Sequence, residues 1–144
     1  MIVGTTEQFA CTFRVYWEDT DGGGVVYYAN YLKFMERART EWLRSLGFEQ
    51  RTLREQYGIL LVVARVEANF RRSARLDDLL QVTCSVIESG RASVIFEQNI
   101  YRGTAREALL LDGVTRVGCI NAETFRPTAL PVVVTAALQR QEHP

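Results

Sequence analysis

The chain has 144 residues, and 47% of them are hydrophobic, so we expect one domain over residues 1–144 with a substantial core. Seventeen basic and seventeen acidic residues leave no net charge, which argues against a broad nucleic-acid-binding surface. No apolar run approaches the roughly 20 residues of a membrane-spanning helix. The first residues show no basic region followed by an apolar core, so we expect no signal peptide and a cytoplasmic protein.

The cysteine and histidine content limits the possible chemistry. Cys11, Cys84 and Cys119 are widely spaced in apolar surroundings and are predicted to be reduced core residues, with no zinc-ligand spacing. His143, beside the C-terminal Pro144, is the only histidine. This argues against Ser-His-Asp and Cys-His mechanisms and against a histidine metal site. We therefore expect no metal site, and an enzyme of this sequence would have to use a carboxylate.

The first strand and the main helix are predicted from hydrophobic periodicity. Residues 9–17 alternate apolar and other side chains, as a strand does. A helix is predicted from near Asn30, whose side chain is expected to accept first-turn hydrogen bonds, to about Leu46. Gly47 follows as a helix C-cap. The apolar positions of this helix share one face: Tyr31, Phe34, Met35, Ala38, Trp42 and Leu46.

The rest of the chain reads mainly as strand. A short helical turn is predicted at residues 52–57 and a last helix at 132–139. Strands are predicted at residues 59–70, 79–88, 91–101 and 108–120, the last with a bulge or second turn at Asp112-Gly113. One long helix among several strands predicts an α+β fold, with an antiparallel sheet around the helix.

The loop between the first strand and the helix carries the strongest functional signal. Asp19 and Asp21 are followed by three glycines at positions 22–24, which allow positive φ and close approach of a ligand. The helix start beyond them offers free N–H groups that can polarise a carbonyl oxygen. A carboxylate in front of it could attack that carbonyl or activate water. The alternative is an acidic turn before an ordinary helix start.

Residues 15–44 resemble the signature of hotdog-fold acyl-CoA thioesterases, and the resemblance continues at residues 74–79 and 125–131. The similarity is to the family that holds 4-hydroxybenzoyl-CoA thioesterase and the Tol–Pal-associated acyl-CoA thioesterases. It implies a hotdog fold and hydrolysis of an acyl-CoA thioester without a cofactor, since coenzyme A is part of the substrate. It also implies a homodimer or homotetramer with active sites at subunit interfaces.

The resemblance also implies roles for individual residues. Asp21 corresponds to the catalytic carboxylate, and the Tyr28 amide to the group that polarises the thioester carbonyl. Around the substrate it places Gly23, Gly24, Val25, Arg91 and Ser93. The basic segment at residues 71–75 is either a solvated connection or a site for the coenzyme A phosphates at Arg71, Arg72 or Arg75, because arginine suits phosphate geometry. The Tol–Pal-associated branch usually has His where this chain has Tyr28, whereas the 4-hydroxybenzoyl branch has Tyr. Short aliphatic and aromatic acyl groups therefore both remain open.

Three alternatives remain at this level. Asp21 acts either as a nucleophile, which gives a mixed anhydride, or as a base on water. Glu18 and Asp19 either act electrostatically on Asp21 or point to solvent. The chain could instead be a non-catalytic module that binds acyl-CoA or acyl carrier protein near the cell envelope, although a carboxylate in a polyanion site argues against this. Dehydration of a hydroxyacyl thioester, a further reaction of hotdog enzymes, is not among them, because it would need a catalytic histidine and this sequence offers none.

Overall fold

A computed structural model of the chain describes residues 8–142. Five antiparallel strands form one sheet in the order β1-β3-β4-β5-β2. In chain order the elements are β1 Phe9–Arg14, a 3-10 turn Trp17–Asp19, α1 Asn30–Ser45, α2 Gln50–Tyr57, β2 Ile59–Phe70, β3 Leu79–Ser89, β4 Ser93–Arg102, β5 Ala108–Asn121 and α3 Val132–Glu142. The predicted α+β fold, an antiparallel sheet with one long helix against it, is confirmed, and it is the hotdog arrangement.

Helix α1 packs its apolar face on the sheet, as its periodicity predicts. Its buried side chains include Phe34, Met35 and Trp42, and the Trp42 ring meets Phe96 of β4 edge-on at 5.3 Å between centroids. The helix ends where Gly47 adopts a φ of 94°, and the Gly47 N–H donates to the Arg44 carbonyl. The predicted glycine cap is therefore confirmed.

Gly113 lets the helix approach the sheet closely. A Cβ at this position would lie 2.9 Å from Met35 Cε and 3.1 Å from the Glu67 carbonyl oxygen. The predicted bulge at Asp112-Gly113 is wrong, because both residues pair in regular register with β2 and β4. The irregularity of the β4–β5 pairing lies at Leu110 instead. The glycine serves close packing of layers and does not bend the strand.

Strand β1 is shorter than predicted. It ends at Arg14, and Trp17 lies in the 3-10 turn with its side chain 66% exposed. The Asp19 carboxylate accepts a hydrogen bond from the Tyr16 N–H at 2.8 Å, which closes this turn. Alternation in the sequence continues past the point where a local side-chain hydrogen bond redirects the backbone.

The remaining helices agree with the predicted positions to within a few residues. Helix α2 begins at Gln50 and α3 extends to Glu142, so both are longer than the sequence pattern suggests. Among the helices of residues 8–142, none has the length and apolar character that a membrane span requires.

Candidate active site

The loop that carries Asp21 is a small hairpin tied to the rest of the fold. Thr20 pairs with Val26, and the Asp21 N–H donates to the Val25 carbonyl at 3.0 Å. Val25 also pairs with Arg75, the residue after Ala74. The loop is therefore held on both sides by backbone hydrogen bonds, which gives Asp21 a defined position.

The three glycines shape the tip of this hairpin. Gly22 and Gly24 have φ values of 90° and 89°, which other residues rarely adopt. Gly23 lies between them, and its N–H donates to Asp21 Oδ1 at 2.7 Å. A Cβ on Gly23 would come within 3.1 Å of that oxygen. The Asp21 side chain is exposed, and the glycines leave room around it for a ligand.

The start of α1 differs in one respect from the prediction. Asn30 does not accept hydrogen bonds from the first turn, since its Nδ2 donates to the Asp19 carbonyl at 2.9 Å. The first-turn amides are satisfied internally, as in the 2.8 Å bond from the Asn30 N–H to the Tyr27 carbonyl. Within residues 8–142, the N–H groups of Tyr28 and Ala29 have no acceptor. These two amides are the donors that the helix start offers to a ligand.

The arginines that follow β2 differ in their partners. Arg71 Nε is 2.6 Å from Asp112 Oδ2, and this ion pair is about half exposed. Arg72 and Arg75 form no ion pair with the part of the chain that the structure describes, and both are exposed. Because Val25 pairs with Arg75, this basic segment lies directly beside the Asp21 hairpin.

Arg91 and Ser93 lie far from Asp21 in the same chain. Ser93 begins β4, whereas Arg102 at the other end of β4 bonds to Asp78 and Ser73 next to the hairpin. Nine residues of strand span about 30 Å. Ser93 lines a groove of about 400 Å³ on the sheet together with Arg65 and Glu88. A single chain thus does not bring these two predicted residues to the carboxylate.

An aromatic cluster beside the hairpin was missed by sequence reasoning. The ring of Tyr28 lies 5.0 Å from Tyr27 and 6.2 Å from Phe70, and Phe70 also meets Tyr31 at 5.7 Å between centroids. Tyr28 and Phe70 are 63% and 51% exposed, so this aromatic surface is open to a ligand. Phe70 is 42 positions from Tyr28, and no local pattern brings the two together.

A second feature missed from the sequence is the groove between α1 and β2. It has a volume of about 350 Å³ and is lined by apolar side chains together with Lys33, Glu36, Arg39 and Thr115. Arg39 is only 9% exposed and Thr115 only 1%. Burial lowers the pKa of Arg39 through desolvation. The lining residues include Leu32, Met35, Arg39, Val63, Val66 and Thr115.

Comparison with known proteins identifies the family. The Thioesterase superfamily profile matches residues 23–109, more than half of the chain. The Acyl-CoA thioesterase YbgC of Haemophilus influenzae is 44% identical over 129 residues, which cover 90% of this chain and 93% of that protein. The Acyl-CoA thioester hydrolase YbgC of Escherichia coli O157:H7 is 37% identical over 135 residues, 94% of this chain and 98% of that one.

A solved structure agrees with this assignment. The crystal structure of a probable thioesterase from Bartonella henselae superimposes with a TM-score of 0.81 at 37% identity, covering 87% of this chain and all of that one. The fold described above is thus that of a known enzyme family. The chain belongs to the Thioesterase superfamily and is a hotdog-fold thioester hydrolase.

Proposed function

We propose that the chain hydrolyses acyl-CoA thioesters to a free acid and coenzyme A, with Asp21 as the catalytic carboxylate. The observation that carries this proposal is the placement of an exposed carboxylate on a hairpin that leads into a helix start with two amides free of acceptors in residues 8–142. The names of the two acyl-CoA thioesterase relatives support the substrate class.

The amide of Tyr28 supplies the electrostatic part of this mechanism. Its N–H donates to the thioester carbonyl oxygen, and the neighbouring Ala29 N–H and the positive end of α1 favour the same oxygen. Negative charge grows on that oxygen as the carbonyl carbon is attacked. One preorganised donor of this kind lowers the barrier by about 3 kcal/mol.

Asp21 acts on the carbonyl carbon by one of two routes. As a nucleophile, a carboxylate oxygen bonds to the carbon, the C–S bond breaks, and coenzyme A leaves and takes a proton; water then cleaves the mixed anhydride. As a base, Asp21 removes a proton from water, the hydroxide adds to the carbon, and the proton goes to the leaving thiolate. The Gly23 N–H holds Oδ1 in either route.

The coenzyme A phosphates would lie along the basic segment after β2. Arg72 and Arg75 are the better candidates, because the Arg71 guanidinium is already paired with Asp112. Arg91 and Ser93 fit the same substrate only if a second subunit presents them, since they lie at the other end of β4 from the hairpin in their own chain.

A homodimer through the edge of β2 would place a second subunit next to the site. β2 has a strand neighbour on one side only within residues 8–142, and four of its apolar residues are 38–52% exposed: Val62, Val63, Val66 and Phe70. An exposed apolar edge of this length normally requires cover. We expect Val66→Asp to shift the mass in solution toward the monomer, whereas Val132→Asp on α3 leaves it unchanged. A monomeric wild type would contradict the dimer.

The acyl group is aliphatic or aromatic in this proposal. The exposed rings of Tyr28 and Phe70 can contact either class, an aromatic group by offset or edge-on packing and an aliphatic group by apolar contact. The relatives named acyl-CoA thioesterases specify no acyl chain. A panel that includes acetyl-, butyryl-, palmitoyl-, benzoyl- and 4-hydroxybenzoyl-CoA separates the two classes.

The experiment that tests the activity is thiol release from this panel by the wild type and by Asp21→Asn. We expect the rate of thiol release by the variant to be lower by a factor of about a hundred to ten thousand. Glu18→Gln is the matched control, because this neighbouring carboxylate is exposed, and it should retain activity. Activity on no substrate would favour the binding-module alternative, and full activity in Asp21→Asn would show that another residue is catalytic.

Further measurements address the route of hydrolysis, the location of the protein and its partners. In a single turnover in ¹⁸O water, the Asp21 carboxylate takes up label if the anhydride forms and water attacks its Asp21 carbon, so a labelled Asp21 would establish the nucleophilic route. A cytoplasmic location is inferred from the first residues and the cysteines, and a Tol–Pal association from the family resemblance. Use of acyl carrier protein as a substrate carrier is a further alternative. Cell fractionation and co-purification with the tagged chain test the first two, and an acyl-carrier-protein thioester in the panel tests the third.

A further inference from the structure

The α1–β2 groove contains a buried cation without a carboxylate partner. Arg39 Nη1 donates to Gln98 Oε1 at 2.9 Å, and Gln98 Nε2 in turn donates to the Met35 carbonyl at 2.9 Å. No ion pair includes Arg39 in the described residues. A guanidinium has five N–H donors, so this single neutral acceptor leaves donors available to a ligand in the groove that Arg39 lines. The Glu36 carboxylate favours the charged form of Arg39 electrostatically but makes no ion pair with it.

The same groove contains a buried hydroxyl that lacks a partner. Thr115 Oγ1 forms no hydrogen bond within residues 8–142, although the residue is only 1% exposed. Native proteins rarely leave such groups unpaired. Thr115 faces Val66 of β2 in the sheet register, and both line the groove with Arg39. A donor from the helix and a donor from the sheet thus line one apolar groove.

The groove lies along α1, beyond the proposed thioester site. Its first lining residue on α1 is Leu32, one turn beyond the Tyr28 amide. Along the helix, Met35 and Arg39 lie about 10 and 16 Å from Tyr28 at 1.5 Å per residue. Val63 and Val66 line the groove and also belong to the β2 edge of the proposed homodimer, so the groove lies at the subunit interface of that dimer. An acyl chain whose carbonyl meets the Tyr28 amide would extend along α1 toward Arg39 and Thr115 at this interface.

We propose that Arg39 and Thr115 recognise an anionic oxygen at the far end of the acyl group, which makes coenzyme A monothioesters of linear dicarboxylic acids the preferred substrates. This rests on the proposed function. A carboxylate at that position would pair with the guanidinium and the hydroxyl together, whereas a methyl end would leave Thr115 Oγ1 unpaired and Arg39 with Gln98 alone. The Glu36 carboxylate at the groove rim is exposed and accepts a hydrogen bond from Thr40.

The test compares matched substrate pairs. The dicarboxylic series runs from succinyl- to tetradecanedioyl-CoA, and each member is paired with the unsubstituted acyl-CoA of equal length. We expect the ratio of kcat/KM within a pair to favour the dicarboxylic member and to reach a maximum at a medium chain length. Equal or lower kcat/KM for the dicarboxylic member at every length would overturn the proposal.

Variants separate recognition from a structural role. Thr115→Val removes an oxygen that makes no bond in the described chain, so thermal stability should not fall, while the ratio should fall about tenfold. Thr115→Ser should keep the ratio. Arg39→Gln should lower it by roughly ten- to a hundredfold, and Arg39→Lys by less. Equal loss on both members of each pair would mean that these residues serve packing or a subunit contact, and would refute the proposal.

This outcome is distinct from failure of the proposed function. One outcome is that Asp21→Asn abolishes hydrolysis of every substrate, while substitution of Thr115 or Arg39 leaves the kcat/KM ratio of the matched pairs unchanged. In that case the thioesterase mechanism stands and only the dicarboxylate inference fails. If no acyl-CoA is hydrolysed by the wild type, both fail.

Discussion

The Ala74 backbone N–H donates a hydrogen bond to the Tyr31 hydroxyl at 2.9 Å, across 43 positions of sequence. The Ala74 carbonyl accepts the Val26 N–H at 2.9 Å on the other side of the same peptide segment. One buried residue thus connects the first turn of α1 to the hairpin that carries Asp21. The helix start and the carboxylate keep their relative position through this link.

Tyr31→Phe should therefore weaken both stability and catalysis. The ring keeps its packing, but the Ala74 N–H loses its acceptor, which costs about 1–3 kcal/mol of unfolding free energy. We expect kcat/KM to fall about tenfold because the Asp21 hairpin is less well positioned. Urea unfolding and thiol release measure the two effects. Tyr57→Phe, on an exposed ring, is the control, and wild-type values in Tyr31→Phe would contradict this role.

Gly113→Ala should destabilise the fold by about 1–3 kcal/mol, because the new methyl group would crowd Met35 and the Glu67 carbonyl oxygen. The backbone oxygen cannot move aside without disturbing the β2–β5 pairing. Gly118→Ala in the same strand is the matched control, since its Cβ would meet only the Val62 carbonyl oxygen at 4.0 Å. Thermal unfolding of the two variants gives the comparison, and an equal loss in both would refute the packing explanation.

The basic segment after β2 should affect binding of the nucleotide part of the substrate. We expect Arg72→Gln and Arg75→Gln to raise KM for acyl-CoA, and to leave KM unchanged for the matching acyl-pantetheine, which lacks the nucleotide. Arg71→Gln should have a smaller effect, because Asp112 already neutralises this guanidinium. Steady-state kinetics on both substrates decide the matter. A rise in KM for acyl-pantetheine as well would place these arginines near the acyl group instead.

The stability of the fold should fall as the pH rises above the ordinary thiol range. Burial raises the pKa of the Cys84 thiol, so the folded state keeps a proton that the unfolded state loses above a pH of about 8.5. Stability is then complete below that pH and declines above it, by about 1.4 kcal/mol per pH unit for one such group. Urea midpoints between neutral and alkaline pH measure the slope.

Cys84→Ala is the control for this pH dependence. Burial also raises the pKa of Cys11 and Cys119, so some alkaline loss should remain in the variant. The slope should nevertheless be shallower than in the wild type, since Cys84 is almost fully buried. An unchanged slope would show that other groups, such as the tyrosines, dominate the alkaline loss.

The sequence by itself determined the main elements and pointed to the hairpin. The 3.6-residue period of α1 and the alternation of the strands arise between residues close in the chain, and so does the use of Gly47 as a helix cap. The succession of Asp21, Gly22, Gly23 and Gly24 before a helix is equally local. Such features depend on backbone geometry and neighbouring side chains, which a single sequence displays directly.

Only the tertiary structure decided which distant residues meet. The pairing of Arg39 with Gln98, the burial of Thr115 and the contact of Tyr28 with Phe70 depend on strand register and on where the helix lies on the sheet. The residue types alone did not predict that Arg39 and Thr115 would be buried or that Tyr28 would contact Phe70. Strand register also separates Ser93 from the Asp21 hairpin, because the two lie at opposite ends of the sheet. Contacts between distant residues arise from the packing of whole elements, and no local pattern encodes them.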